Sequence, residues 1–201
     1  MMMITFAVAG LLANAEQPNS KKNLETVKLD VTQSTFNWHA KKVTGEHKGI
    51  VKFQNGDIFL NGNILIGGVI NVDMTTIDDL DLSGEYHDKL VKHLKSDEFF
   101  AVEKYNTSTL SIKSCEFIKG TKPGENNYTV KADLMIKGIT KEIVFGAFVV
   151  ITKDQVVTNA EFNIDRTKYD IKYNSKSFIP DIGDKAIDDN FSVKVRVIAK
   201  R

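Results

Sequence analysis

Cysteine occurs once in this 201-residue chain, and proline three times. A lone Cys115 excludes any disulfide within the chain, and with it a small scaffold held by bridges. Three prolines and 13 glycines exclude collagen-like and proline-rich disordered chains. Charge of one sign is also missing: 27 Lys plus Arg stand against 26 Asp plus Glu, a formal net charge of +1. A nucleic-acid binder would show a basic balance or stripe. Short pairs such as Lys21-Lys22 and Lys41-Lys42 read as solvated faces, and no nucleic-acid partner is expected. No apolar run reaches the roughly 20 residues that a transmembrane helix needs. The nucleotide loops GxxxxGKS/T and GxGxxG, the HExxH zinc motif and the GxSxG nucleophile turn are all absent.

What remains is a globular balance, with 42% hydrophobic and 26% charged residues. Twelve Phe against one Trp and five Tyr supply apolar lining with few polar handles. The first fifteen residues stand apart because they carry no charge. Ile4 to Leu12 is an apolar run of signal-peptide length, and Ala13-Asn14-Ala15 fits the small-x-small cleavage pattern, although no Lys or Arg precedes the run. The alternative is a buried N-terminal segment. The adopted expectation is a signal peptide over 1–15, a polar lead-in over 16–26, one domain over 27–200, and a periplasmic or secreted product.

From Leu29 onward apolar residues recur mostly with period two, as in half-buried strands. Tyr128, Val130, Ala132, Leu134 and Ile136 form one such series; Val156 to Ile164 and Phe191 to Ala199 form two others. Ile143 to Ile151 alternates too, but its opposite face also carries Val144, Phe148 and Val150. That strand is expected to be buried on both sides, beneath a helix or a partner subunit. Asn55-Gly56 reads as a two-residue hairpin turn, Asn61-Gly62-Asn63 as another, and Gly67-Gly68 as a further break. Ser83 to Lys95 breaks the alternation with a helical stripe of Tyr86, Leu90, Val91 and Leu94, with Ser83 placed to cap it. Arg166 to Asp189 is a long non-strand stretch, and such stretches are functional or carry short helices. The fold class is therefore all-β, an antiparallel barrel or sandwich of eight or nine strands with one inserted helix. Closure into an eight-stranded barrel removes exposed edges and leaves room for one small ligand.

Catalytic chemistry is thinly represented. Of the four histidines, His87 and His93 lie about 240° apart around a helix and do not share a face. His39 and His47 can meet on adjacent strands, either as barrel-mouth residues or with a carboxylate around a metal; no metal is expected. Asp78-Asp79-Leu80-Asp81 resembles part of a calcium loop but lacks its Gly and distal Glu, and is expected to solvate the turn before the helix. Asp97-Glu98 and Asp181 with Asp184 have no nucleophile beside them in sequence. A binding protein without a catalytic cofactor is the expectation, not an enzyme. Cys115 is expected to lie buried beside Phe117 as a small hydrophobe.

Several segments together carry a family resemblance. Gly68–Ile77 (GVINVDMTTI) followed by Lys89–Phe100 (KLVKHLKSDEFF) resembles the helix-centred signature of the YceI-like family. Leu134–Lys141 (LMIKGITK) is similar to its strand-turn motif. Phe162–Arg166 (FNIDR), then Ile182-Gly183-Asp184 and a last strand, resembles its C-terminal pattern, and Ser34–Trp38 (STFNW) fits its opening. The likeness covers about Val27 to Ala199. Tyr86-His87-Asp88-Lys89 replaces the family's Arg-Asp-rich run, and Tyr105-Asn106 its Tyr-Pro pair.

The resemblance implies a lipocalin-like barrel, usually exported and often dimeric, that holds a long-chain isoprenoid or acyl lipid in its interior. Interior positions expected on the walls are Phe36, Trp38, Leu134 and Ile136, with Phe145, Phe162, Ile164 and Phe191 on later strands. Each is either a packed core position or a ligand contact. Phe99, Phe100 and Tyr169 are expected to close the ends. Arg166 and Lys168, with His93 beside them, are candidates for holding a head group at the mouth. A barrel with a packed interior acting through protein contacts is the main alternative, and a lipid-modifying enzyme using the loop carboxylates is a weaker one.

Overall fold

The computed structural model describes residues 23–201. The expected signal peptide therefore lies outside the described residues. Nine strands follow in order: β1 (Leu24–Leu29), β2 (Thr35–Lys42), β3 (Gly45–Asn61), β4 (Ile64–Asp79), β5 (Thr107–Phe117), β6 (Tyr128–Ile136), β7 (Ile139–Ile151), β8 (Gln155–Asp165) and β9 (Ile187–Lys200). One helix, α1 (Gly84–Lys95), sits between β4 and β5. β1 begins at Leu24, so the last residues of the expected lead-in are already strand. Among the described residues no helix is long and apolar enough to cross a membrane.

All the strands join one antiparallel sheet that closes on itself through the β3–β4 pairing. Nine strands make only eight staves, because β1 and β2 share one. β2 pairs with the first half of β3 at Gly45 to Ile50, whereas β1 pairs with its second half at Asp57 to Asn61. β9 repeats the arrangement, meeting β2 up to Arg196 and β1 at Ala199 and Lys200. The result is a closed eight-stranded antiparallel barrel with an inserted helix, one of the two architectures the alternation allows and the one the resemblance implies.

Two expected turns are not turns. β3 runs straight through Asn55-Gly56 and β4 straight through Gly67-Gly68; the hairpin between them closes at Gly62-Asn63, where Asn61 pairs with Ile64. These glycines serve close approach instead. A Cβ on Gly68 would stand 2.7 Å from the Asp57 carbonyl oxygen across the sheet. Register shifts near Phe53/Asn55 and Ile50/Lys52 bend the long strands around the barrel.

β7 is buried on one side only. Ala147 and Val149 face the interior, while Val144 is 62% exposed and Val150 is on the surface as well. Among the described residues no helix covers that outer face, since α1 packs against β4 at the barrel end. The helix itself buries less than its stripe implies: Leu94 is buried, Leu90 and Val91 are half-buried, and Tyr86 is exposed. Ser83 occupies the N-cap position, but its side chain makes no capping hydrogen bond.

Cys115 is half-buried on β5, and Phe117 beside it is largely exposed while its ring packs edge-on against Tyr128. Burial pushes the thiol up to about 11. At pH 8 about one thiol in a thousand is then ionised, against roughly a quarter for an ordinary cysteine. Alkylation of the folded chain by iodoacetamide, followed by mass spectrometry, is expected to run roughly 250-fold slower than for free cysteine. A rate matching free cysteine would contradict this placement.

Candidate functional site: a hollow apolar barrel end

The two ends of the barrel differ. At the end away from α1, Val27, Leu60, Tyr128, Val149, Val156 and Ala199 are buried together and plug the interior. Tyr128 also accepts a hydrogen bond from the Leu65 amide through its hydroxyl, 3.4 Å. Toward α1 the interior opens into a cavity of about 200 Å³. A single water occupies about 10–15 Å³ of such space, so a chain of about a dozen heavy atoms fits.

Period-two alternation sets the wall. Phe36 and Trp38 on β2, Leu134 and Ile136 on β6, Phe145 on β7, Phe162 and Ile164 on β8, and Phe191 on β9 all line the cavity. Phe145 and Phe162 stack with ring centroids 4.4 Å apart, and Phe36 meets Phe53 edge-on at 5.9 Å. Trp38 is anchored by its indole N–H, which donates to the Ile50 carbonyl at 3.3 Å. Ala147 and Ala160 are paired neighbours on β7 and β8, and their small side chains leave the hollow between the aromatic walls.

The lid comes from α1 and the segment after it. Leu90 and Leu94 of the helix, with Phe99 and Phe100 beyond it, line the cavity from above. Tyr169 is also buried but does not reach the cavity wall. Its burial pushes the phenol up to about 12, so it stays neutral. His93 stays off the wall too, its ring packed between Phe99 and Tyr173 at centroid distances of 5.0 and 4.5 Å.

Arg166 lines the cavity, yet its hydrogen bonds point back into the chain. Nε donates to the Asp188 carbonyl at 3.0 Å, Nη1 to those of Ile171 and Tyr173 at 2.9 and 2.8 Å, and Nη2 to that of Ile187 at 3.0 Å. The remaining Nη2 donor faces Asp189, 3.6 Å away. Burial lowers the guanidinium pKa, and Asp189, Asp165 and Asp188 oppose that. The residue acts as a staple for the loop between β8 and β9, with little donor capacity left over. Lys168 is exposed and does not line the cavity. The other ionisable lining residues gather at the end of β2, the start of β3 and the start of β9, as Lys41, Lys42, His47 and Asp188. The loop carboxylates Asp97, Glu98, Asp181 and Asp184 are exposed and off the cavity wall.

A sequence profile of the YceI-like domain matches residues 27–199. The chain belongs to the YceI-like family. Solved structures share this fold at low identity. Burkholderia cenocepacia BcnA superposes with a TM-score of 0.66 at 15% identity, over 85% of this chain and 99% of that one. A polyisoprenoid binding domain from Saccharophagus degradans, implicated in plant cell wall breakdown, gives 0.61 at 13% identity, over 90% and 99%. The Campylobacter jejuni YCEI protein gives 0.51 at 14%, over 99% of each chain. No curated protein sequence matches significantly.

In this YceI-like barrel, the part of the cavity wall built by β3 and β4 is not apparent from the sequence pattern. Val51 and Phe53 on β3, and Ile70, Val72, Met74 and Ile77 on β4, line it as fully as the residues expected. Their alternation is present in the sequence. Reading Asn55-Gly56 and Gly67-Gly68 as turns breaks β3 and β4 into separate pieces, which hides the continuous wall that the two long strands build.

Proposed function

We propose that this YceI-like protein binds a long, predominantly apolar chain, an isoprenoid or acyl lipid, in the hollow end of the barrel, and that it carries or sequesters that lipid without chemically altering it. The observation that carries the reading is the apolar cavity of about 200 Å³, closed below by a packed plug and lined from every stave. Burial of about twelve methylenes contributes roughly 10 kcal/mol gross. That exceeds the lower estimate of about 4 kcal/mol for immobilising a ligand. Eleven of the expected contacts stand on that wall and are proposed as ligand contacts: Phe36, Trp38, Phe99, Phe100, Leu134, Ile136, Phe145, Phe162, Ile164, Arg166 and Phe191. Tyr169 is buried in the same apolar cluster without lining the cavity. The related domain described as polyisoprenoid binding favours the isoprenoid class. The uncharged N-terminal segment supports export, and the exposed apolar outer face of β7 supports a homodimer.

Organic extraction of the detergent-free protein, with mass spectrometry of the extract, tests this reading. About one equivalent of a long-chain lipid per protein is expected. An empty extract, together with polyprenyl and acyl lipids that fail to raise the melting temperature, would overturn it, because a ligand of the native state must stabilise it.

A further inference from the structure

At the rim of the barrel, where β4 leaves the sheet toward α1, two carboxylates and an imidazole converge. Asp79 is still paired with Gly49 of β3, and the backbone stays close to it, since the Leu80 amide donates to the Lys48 carbonyl at 2.9 Å. Asp81 then folds back onto β3. Its Oδ1 accepts from the Lys48 amide at 2.7 Å, and its Oδ2 lies 2.9 Å from His47 Nδ1. Asp79 is only 3% exposed. Its Oδ1 accepts from the amides of Asp81 and Leu82, at 3.2 and 2.7 Å. Its Oδ2 is fully buried and has no hydrogen-bond partner among the described residues.

This contrasts with the expectation that the Asp78–Asp81 run merely solvates a turn. A buried carboxylate oxygen without a partner is costly, and a second carboxylate beside it raises the cost. One ligating atom each from His47, Asp79 and Asp81 lies within 4.8 Å of the others. Metal–ligand bonds of about 2.0–2.2 Å place tetrahedral donors roughly 3.4 Å apart, so a small opening of the 2.9 Å His47–Asp81 pair, with Asp79 drawn up to it, would enclose a cation.

We propose that His47, Asp79 and Asp81 form a binding site for a divalent transition metal of the zinc class. The imidazole and the small number of ligands favour zinc over calcium, which takes six to eight oxygens. Metal binding answers the orphaned Asp79 oxygen and offsets the repulsion between the two carboxylates. His39 takes no part, contrary to its possible pairing with His47. β2 presents Phe36, Trp38 and Ala40 to the cavity, whereas β3 presents His47, Val51 and Phe53, so His39 lies on the outer face, where it pairs with Glu46 at 3.0 Å. Because His47 also lines the cavity, the site stands at its rim, and three protein ligands leave a coordination position open.

The test is equilibrium dialysis of the untagged full chain against zinc after chelator stripping, with bound metal measured by atomic emission. About one equivalent is expected. His47→Gln and Asp79→Asn should each weaken retention at least tenfold, whereas His39→Gln should leave it unchanged. Asp79→Asn keeps an acceptor for the Asp81 and Leu82 amides, and His47 is partly exposed, so circular dichroism is expected to show both variants folded. If only one of them folds, that variant decides. No zinc bound by the wild-type chain would overturn the proposal, as would equal retention by the folded variants. The readout is the metal itself, so it stands or falls independently of lipid binding.

Discussion

Ala160→Phe is expected to empty the barrel of lipid while leaving it folded. Ala160 lines the hollow beside Ala147, and a phenyl ring there would project toward the space between the aromatic walls. The added ring has somewhere to go, so the change in unfolding free energy should stay within about 1 kcal/mol, whereas lipid recovered by extraction should fall at least tenfold. Ala199→Phe makes the opposite expectation. Ala199 has no exposed surface and belongs to the plug, where β9 meets β1 and β8. Overpacking such a site typically costs about 1–3 kcal/mol, and that loss should appear in urea unfolding whether or not lipid is present. Equal destabilisation by the two substitutions would mean that the interior is packed throughout, and the lipid reading would fail with it.

Arg166→Ala should be among the most damaging single changes outside the plug. It removes the donors for four backbone carbonyls that hold the β8–β9 connection against the barrel, and leaves Asp189 without its cation. Removing one partner from a buried charged network costs about 3–5 kcal/mol, and a loss of about 3 kcal/mol or more is expected in urea unfolding. Arg166→Lys should recover little of it. An ammonium has three donors on a flexible stem and cannot reproduce the planar fork that reaches Asp188, Ile171, Tyr173 and Ile187 together. If lysine restored full stability, charge rather than the fork would be the essential property.

The two cases mark how far local pattern reaches. Alternation along β6, β8 and β9 is legible because a strand has one wet face and one dry face, and the dry residues recur at every second position. The pattern therefore puts Phe162 and Ile164, and likewise Leu134 and Ile136, on one face. Arg166 was legible as a residue at a strand end, and a head-group role followed from its charge. The carbonyls it binds lie as far on as Asp188, and no local spacing points to them. The glycines at 56, 67 and 68 misled for a related reason. Glycine marks a turn and a close approach between strands with the same letter, and only the neighbour across the sheet distinguishes them.

Period-two alternation and the helical interruption over Ser83 to Lys95 determine an all-β antiparallel chain with one inserted helix, and the family resemblance alone selects the barrel over a sandwich. The first two signals depend on each residue's own solvation and on chain spacing. The hollow, the plug beneath it, the outward turn of His39 and the meeting of His47, Asp79 and Asp81 arise from contacts across staves. His47 and Asp81 are 34 positions apart in the chain yet 2.9 Å apart in space. Such proximity is set by strand register and barrel closure, which the sequence encodes only collectively.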